Sequence, residues 1–163
     1  MTSSRLPNHI SQQFDNELED IRSKVLAMGG LIEQHLAKVL AYFSKGEVEG
    51  VEYVAVSDYL VNALEVEIDN DCTDILARRQ PAAGDLRLVL AVSKTITDLE
   101  RMGDEAEKIA RLILHEDDIL VTGSYYHGAA ALGKHVASMV RSALDSFARM
   151  DSEAAFKVAF EDR

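Results

Sequence analysis

The chain of 163 residues has no tryptophan, one cysteine, two prolines and no long apolar run. The single thiol, Cys72, can neither close an intrachain disulfide nor supply a cysteine-based zinc site. The apolar run from Leu88 to Val92 is too short to span a bilayer. The segment from Met1 to Phe14 lacks the apolar stretch of a signal peptide. These absences predict a cytoplasmic location.

Basic residues are also in the minority, since 17 Lys and Arg stand against 28 Asp and Glu for a formal net charge of −11. This balance repels phosphate backbones and anionic headgroups, so we expect no nucleic-acid partner. The 47% hydrophobic content excludes a disordered chain, and the length allows a sizeable core.

Apolar residues recur at steps of three and four along most of the chain, which predicts long amphipathic helices. The first runs from Ile10 to Phe43 and ends at the turn Lys45-Gly46, and the second runs from about Glu47 to Arg79. The third begins near Pro81 and fades in the polar stretch from His115 to Tyr125. Strand-type alternation is absent, and short connections make neighbours antiparallel. We predict an all-α fold with an elongated antiparallel three-helix bundle.

The last part of the chain resembles its beginning, which predicts an internal repeat. A shift of 104 places Gly29 on Gly133 and Phe43 on Phe147. We therefore predict a first three-helix repeat at residues 8–117. Residues 126–163 form a partial second repeat, with the fourth helix and the beginning of the fifth. This organisation suggests a shortened version of a longer two-repeat protein.

Two pairs of carboxylates four residues apart are the candidate site. Glu65 and Asp69 share a face of the second helix, and Glu100 and Asp104 share a face of the third. Antiparallel packing brings the pairs to similar heights, where a hard cation would offset their repulsion. All-oxygen ligands favour magnesium, calcium, manganese or iron over zinc. The competing interpretation is chance spacing on a solvated face, although Gly103 inside the second pair indicates a close helix approach.

Several short segments together resemble the PhoU family of phosphate-uptake regulators. The most specific are Arg78-Arg-Gln-Pro81, Asp85-Leu-Arg87 and Asp98-Leu-Glu-Arg-Met-Gly-Asp104, and His9 to Phe14 and Met28-Gly-Gly30 add to them. The resemblance implies two tandem three-helix bundles, with metal bound at E(D)xxxD motifs that correspond by position to the four carboxylates above. It also implies a cytoplasmic regulator, peripheral to a membrane complex. Such a regulator acts with the ATPase of a phosphate ABC transporter and a sensor histidine kinase to repress the phosphate-starvation response.

Three hypotheses follow for the function. The preferred one is a metal-binding regulatory adaptor holding a divalent or ferric ion of the iron, manganese or magnesium class. The second, a carboxylate di-metal enzyme, lacks the Glu-x-x-His signature, so we expect no enzymatic activity. The third is a structural dimerising bundle without a metal. Under the first and third, the apolar face around Phe147, Val158 and Phe160 favours a homodimer.

Overall fold

The computed structural model describes residues 6–115 and 124–161, with side chains over 12–115 and 127–161. Every regular element in these ranges is an α-helix, which confirms the predicted all-α class. The six helices are α1 (Leu6–Lys45), α2 (Val48–Ser57), α3 (Tyr59–Arg79), α4 (Ala83–His115), α5 (Ser124–Ala148) and α6 (Ser152–Glu161). Among the described residues, no helix is both long and apolar enough to cross a lipid bilayer.

The first bundle consists of α1, the α2–α3 pair and α4. Ion pairs fix the direction of α3 against α1. Lys24 Nζ lies 2.6 Å from Asp71 Oδ2, and Arg79 Nη2 lies 2.6 Å from Glu17 Oε1. Because the residue number falls along α3 as it rises along α1, these two helices are antiparallel. The up-down-up bundle predicted from the short connections is thus confirmed.

The core of this bundle is divided into two apolar clusters by a polar layer. The larger cluster includes Ile32, Val61 and Leu99, and the smaller one includes Val39, Val54 and Ala106. Each of the three segments contributes residues between the two clusters. They are His35 on α1, Ser57 and Asp58 where α2 meets α3, and Gly103 on α4. Ser57 Oγ and His35 Nε2 are 3.0 Å apart and buried. The polar layer therefore connects α1 to the junction of α2 and α3.

The second predicted helix is not continuous, because it divides at Asp58. This residue keeps helical dihedrals (φ −59°, ψ −30°). Its carbonyl oxygen accepts hydrogen bonds from the amides of Val61 at 2.8 Å and Asn62 at 3.2 Å. The shorter bond is of the tight 3₁₀ type, which marks a local irregularity in a helix. No proline or glycine stands at this point, so the apolar spacing gave no sign of the division.

The two turns of the first bundle use left-handed backbone. Gly46 (φ 72°) ends α1 as predicted, and its amide donates to the carbonyl of Tyr42 at 2.9 Å. Gln80 (φ 46°) ends α3. The helix expected near Pro81 begins two residues later, at Ala83, because the chain leaves the left-handed residue before it can resume helical hydrogen bonding.

Helix α5 packs antiparallel along α1 through two reciprocal contacts between glycine and leucine. A Cβ on Gly29 would lie 2.4 Å from Leu144 Cδ2, and a Cβ on Gly133 would lie 2.5 Å from Leu40 Cδ2. Gly29 and Gly133 are 104 residues apart, which is the shift of the sequence repeat. Leu40 and Leu144 are separated by the same number of residues. The pair of helices therefore has an approximate two-fold relation. Helix α6 packs on α5.

Candidate metal site

Three carboxylates meet where the junction of α2 and α3 faces α4. Oxygens of Asp58, Asp104 and Glu107 all lie within 4.8 Å of one another. Asp104 and Glu107 are three residues apart on α4 and therefore share a face of that helix. Asp58, at the division between α2 and α3, contributes the third carboxylate. We call these three residues the carboxylate cluster.

The close approach of the helices at this point depends on Gly103. An added Cβ there would lie 3.1 Å from Asp58 Oδ1 and 3.1 Å from Val61 Cγ1. Such a distance is tighter than ordinary van der Waals contact, so a larger residue would push the junction away from α4. The close helix approach that the sequence predicted at Gly103 is therefore confirmed.

Asp58 is the most buried member of the cluster, with 6% of its surface exposed. Asn62 Nδ2 donates to its Oδ2 at 2.9 Å, but its Oδ1 is buried without a hydrogen-bond partner among the described residues. Burial, and then the charges of Glu107 and Asp104, raise the pKa of Asp58. A buried, unpartnered oxygen on a carboxylate that is clustered with two others is a suitable ligand for a hard cation. The residues present thus fit a metal ion.

Two more carboxylates extend this acidic region along the bundle. Glu65 on α3 and Glu100 on α4 are both half-buried. Burial raises the pKa of Glu100, and the charges of Asp104, Glu65 and Asp58 raise it further. Carboxylates of both helices therefore contribute to the negative field at Glu100.

One cation lies beside the cluster on the same helix. Arg111 donates to Glu107 Oε1 from Nε at 2.9 Å and from Nη2 at 2.6 Å. Its side chain is 57% exposed, so water screens the pair. Arg111 thus offsets part of the charge of Glu107 and favours the ionised form of Asp58, but neither Asp58 nor Asp104 has a described ion pair with a cation.

The structure brings together only part of the predicted set. Asp104 belongs to the carboxylate cluster, and the charges of Asp104 and Glu65 both act on Glu100. Asp69 is exposed, and its charge acts on Cys72, where burial and nearby carboxylates raise the thiol pKa to about 11. The metal assignment itself remains a prediction.

Sequence reasoning missed Asp58 and Glu107. Asp58 is followed four residues later by Asn62 instead of a carboxylate, and Glu107 follows Asp104 by three residues instead of four. Spacing of three is as effective as spacing of four on a helix face. A search that allowed both spacings and an amide partner would have included these residues.

The described residues form an all-helical bundle with a cluster of three carboxylates between its helices. The PhoU domain family matches residues 25–113. The chain is 42% identical to the phosphate-specific transport system accessory protein PhoU of Escherichia coli, covering 100% of this chain and 67% of that protein. It is 44% identical to the homologue of Pseudomonas putida, over 97% of this chain and 62% of the relative.

A solved structure supports the same relationship. The crystal structure of PhoU from Pseudomonas aeruginosa superposes with a TM-score of 0.84 at 44% identity, covering 91% of this chain and 71% of that one. The chain belongs to the PhoU family, as the sequence motifs predicted. It spans about two thirds of the length of the relatives above. The family is one of accessory and regulatory proteins, so the expectation that the chain is not an enzyme is confirmed.

Proposed function

We propose that this chain is a metal-binding regulator of phosphate uptake. The observation that carries the metal part is the buried Oδ1 of Asp58, which has no described hydrogen-bond partner and belongs to a carboxylate clustered with those of Asp104 and Glu107. These three residues would hold a divalent or ferric ion of the iron, manganese or magnesium class, with Glu65 and Glu100 adding negative field. The ion would offset the repulsion among the carboxylates and tie the junction of α2 and α3 to α4.

The regulatory part is supported by membership of a family whose named relatives are accessory proteins of phosphate-specific transport systems. We infer that this chain acts in the cytoplasm, at the periphery of a membrane complex. There it contacts the ATPase of a phosphate ABC transporter and a sensor histidine kinase, and represses the phosphate-starvation response. The bundle supplies binding surfaces for these partners and performs no reaction itself.

A homodimer is part of the same proposal. An open, mainly apolar groove of about 560 Å³ lies between α4, α5 and α6, lined by residues such as Leu99, Met102, Leu144 and Phe147. Phe156 and Phe160 on α6 are 67% and 59% exposed beside it. Exposed apolar surface of this kind favours self-association, and a second copy of the chain presents the complementary aromatic side chains.

Calorimetric titration with Mn²⁺ and Mg²⁺ tests the metal site. We expect the Asp58→Asn and Asp104→Asn variants to bind at least tenfold more weakly than the wild-type chain, since each removes an ionised ligand. Asp98→Asn on the exposed face of α4 is the matched control and should bind within about twofold. Unchanged affinity in Asp58→Asn would contradict the site. A loss in Asp69→Asn alone would move the ion to the pairs predicted from sequence.

A reporter of the phosphate-starvation response tests the regulatory part separately. In cells that lack their own family member and grow in ample phosphate, the chain should repress the reporter. Repression by the wild-type chain and its loss in Asp58→Asn would support a metal-dependent regulator. Repression that persists in a folded Asp58→Asn variant would favour the structural bundle, in which the metal has no role. Failure of the wild-type chain to repress would contradict the regulatory proposal while leaving the titration result intact.

A further inference from the structure

Helices α2 and α3 carry a second apolar row on the face turned away from the bundle. Val56, Tyr59 and Val66 are 72%, 66% and 60% exposed, and Ala63 between them is also exposed. Steps of three, four and three place these residues in one line that continues across the junction at Asp58. An ordinary amphipathic helix has polar residues at the positions farthest from the core, so this row departs from the expected pattern.

No other described helix covers this row. Within the described ranges α2 and α3 contact only each other, α1 and α4, whereas α5 packs on α1 and α6 on α5. A single exposed apolar side chain is normal on a protein surface. An aligned set of large apolar side chains is typical of a surface that binds another protein.

The charge of the same segment is of one sign. Residues 46–77 contain no lysine, arginine or histidine, although the rest of the chain contains all three. The segment contains nine carboxylates: Glu47, Glu49, Glu52, Asp58, Glu65, Glu67, Asp69, Asp71 and Asp74. Lys24 of α1 compensates Glu67 and Asp71 from the inner side. Glu49, Glu52 and Asp69 are exposed and have no described ion pair.

We propose that Val56, Tyr59, Ala63 and Val66, with the flanking carboxylates, form a docking face for a basic, apolar-centred surface of a partner protein. Tyr59 lies in the middle of the row, and a central aromatic side chain is a common anchor of protein interfaces. The carboxylates steer and align a positively charged partner. A bilayer is a poor occupant because its anionic headgroups would be repelled.

This inference rests on the proposed function for the identity of the partner, which is either the transporter ATPase or the cytoplasmic part of the sensor kinase. The test measures the dissociation constant of the full chain with each purified protein by biolayer interferometry. The triple variant Val56→Gln, Tyr59→Gln, Val66→Gln removes the apolar row while keeping good helix formers. We expect binding at least tenfold weaker for the protein that uses this face.

The control is the double variant Leu112→Gln, Leu132→Gln, whose side chains are 60% and 65% exposed on α4 and α5. It should bind within about twofold of the wild-type chain. Charge is tested by Glu49→Lys with Glu52→Lys, which should weaken binding and reduce its dependence on salt, because exposed charges are screened by ions.

The outcomes separate the two proposals. If the wild-type chain binds neither protein, the proposed partners are wrong, and the docking face falls with them. If it binds and the triple variant binds equally well, the partners stand and the docking face alone is contradicted. Binding of the wild-type chain to vesicles of anionic phospholipid, lost in the triple variant, would also overturn a protein partner.

Discussion

At the scale of single residues, the carboxylate of Asp58 is destabilising in the metal-free protein. The charges of Glu107 and Asp104 oppose its ionisation more than Arg111 favours it, and its Oδ1 has no described hydrogen bond. The folded pKa lies above the ordinary value of 3.8, so the folded protein binds this proton more tightly than the unfolded chain. The contribution of Asp58 to folding therefore becomes less favourable as the pH rises through the folded pKa.

The variant Asp58→Asn removes this charge and keeps the shape of the side chain. In the presence of a chelator at pH 7, we expect it to have a higher free energy of unfolding than the wild-type chain. The difference should shrink as the pH falls below 3.8, where the wild-type carboxyl becomes protonated in both states. Urea unfolding at a series of pH values measures it.

The exposed Asp69→Asn is the control for this series and should stay within about 0.5 kcal/mol of the wild-type chain at every pH. A destabilised Asp58→Asn at pH 7 without metal would show that the ionised carboxylate contributes favourable interactions that the structure does not contain. With saturating Mn²⁺ the order should reverse, because the wild-type chain gains more binding energy than the weaker-binding variant. At a concentration of 100 times the dissociation constant that gain is about 2.7 kcal/mol.

The buried pair of His35 and Ser57 provides a second prediction at this scale. Burial and the charge of Lys38 lower the pKa of His35, so its ring is neutral at pH 7 and shares one hydrogen bond with Ser57. Each single variant, His35→Leu or Ser57→Ala, leaves a buried polar group unpaired and should cost about 1–3 kcal/mol. The double variant should cost less than the sum, because no orphaned partner remains. A strictly additive urea-unfolding cycle would show that the bond contributes nothing.

At the scale of helices, replacing either of two adjacent glycines of α1 by alanine should have opposite effects on stability, because only one of them contacts α5. A Cβ on Gly29 would collide with Leu144, whereas nothing lies within 4 Å of a Cβ on Gly30. We expect Gly29→Ala to destabilise by about 1–3 kcal/mol through overpacking. Gly30→Ala should stabilise by about 0.5–1 kcal/mol, because alanine is the better helix former.

The same experiment on Gly133 tests the approximate two-fold relation of these helices. Because Leu40 lies 2.5 Å from the position of its added Cβ, Gly133→Ala should destabilise to an extent similar to Gly29→Ala. Urea unfolding of the three variants gives the comparison. Equal changes in the free energy of unfolding for Gly29→Ala and Gly30→Ala would show that α5 does not pack closely against Gly29 in solution.

The helices also show what the apolar spacing could and could not predict. The ends of α1 and α3 follow from Gly46 and from Pro81, whose backbone restrictions are encoded locally. The division at Asp58 lies where Ser57 contacts His35 of α1 and Asp58 contacts Gly103 of α4, which are distant in sequence. Asp104 could be predicted as a site residue from its spacing to Glu100. Asp58 could not, because its place in the site depends on the assembly of three helices.

At the scale of the whole molecule, the proposed homodimer makes a prediction for the apolar groove. Replacing Phe156 and Phe160 by serine should shift the chain towards the monomer, because both contribute large exposed apolar surface on α6. Sedimentation velocity over a range of concentrations measures the shift. Leu132→Ser, at a similar exposure on α5, is the control and should leave the association unchanged. A monomeric wild-type chain at high concentration would contradict the homodimer.

The arrangement of the whole chain was partly evident from its internal repeat. The shift of 104 residues related Gly29 to Gly133, but it could not show that the two related helices touch. The contact depends on shape, because each glycine leaves a notch that a leucine of the other helix fills. The spacing of apolar residues shows these leucines only as further core positions. The division into residues 8–117 and 126–163 therefore remains a prediction, although the reciprocal contacts agree with it.

The notch at Gly29 also restricts how this surface can change over evolutionary time. A bulkier residue at position 29 would force the side chain at position 144 to move or to become smaller, and the same reciprocal condition links positions 133 and 40. Substitutions at these sites should consequently occur in compensating pairs among related sequences. Sequence changes in α1 and α5 would then be coupled at these contact positions.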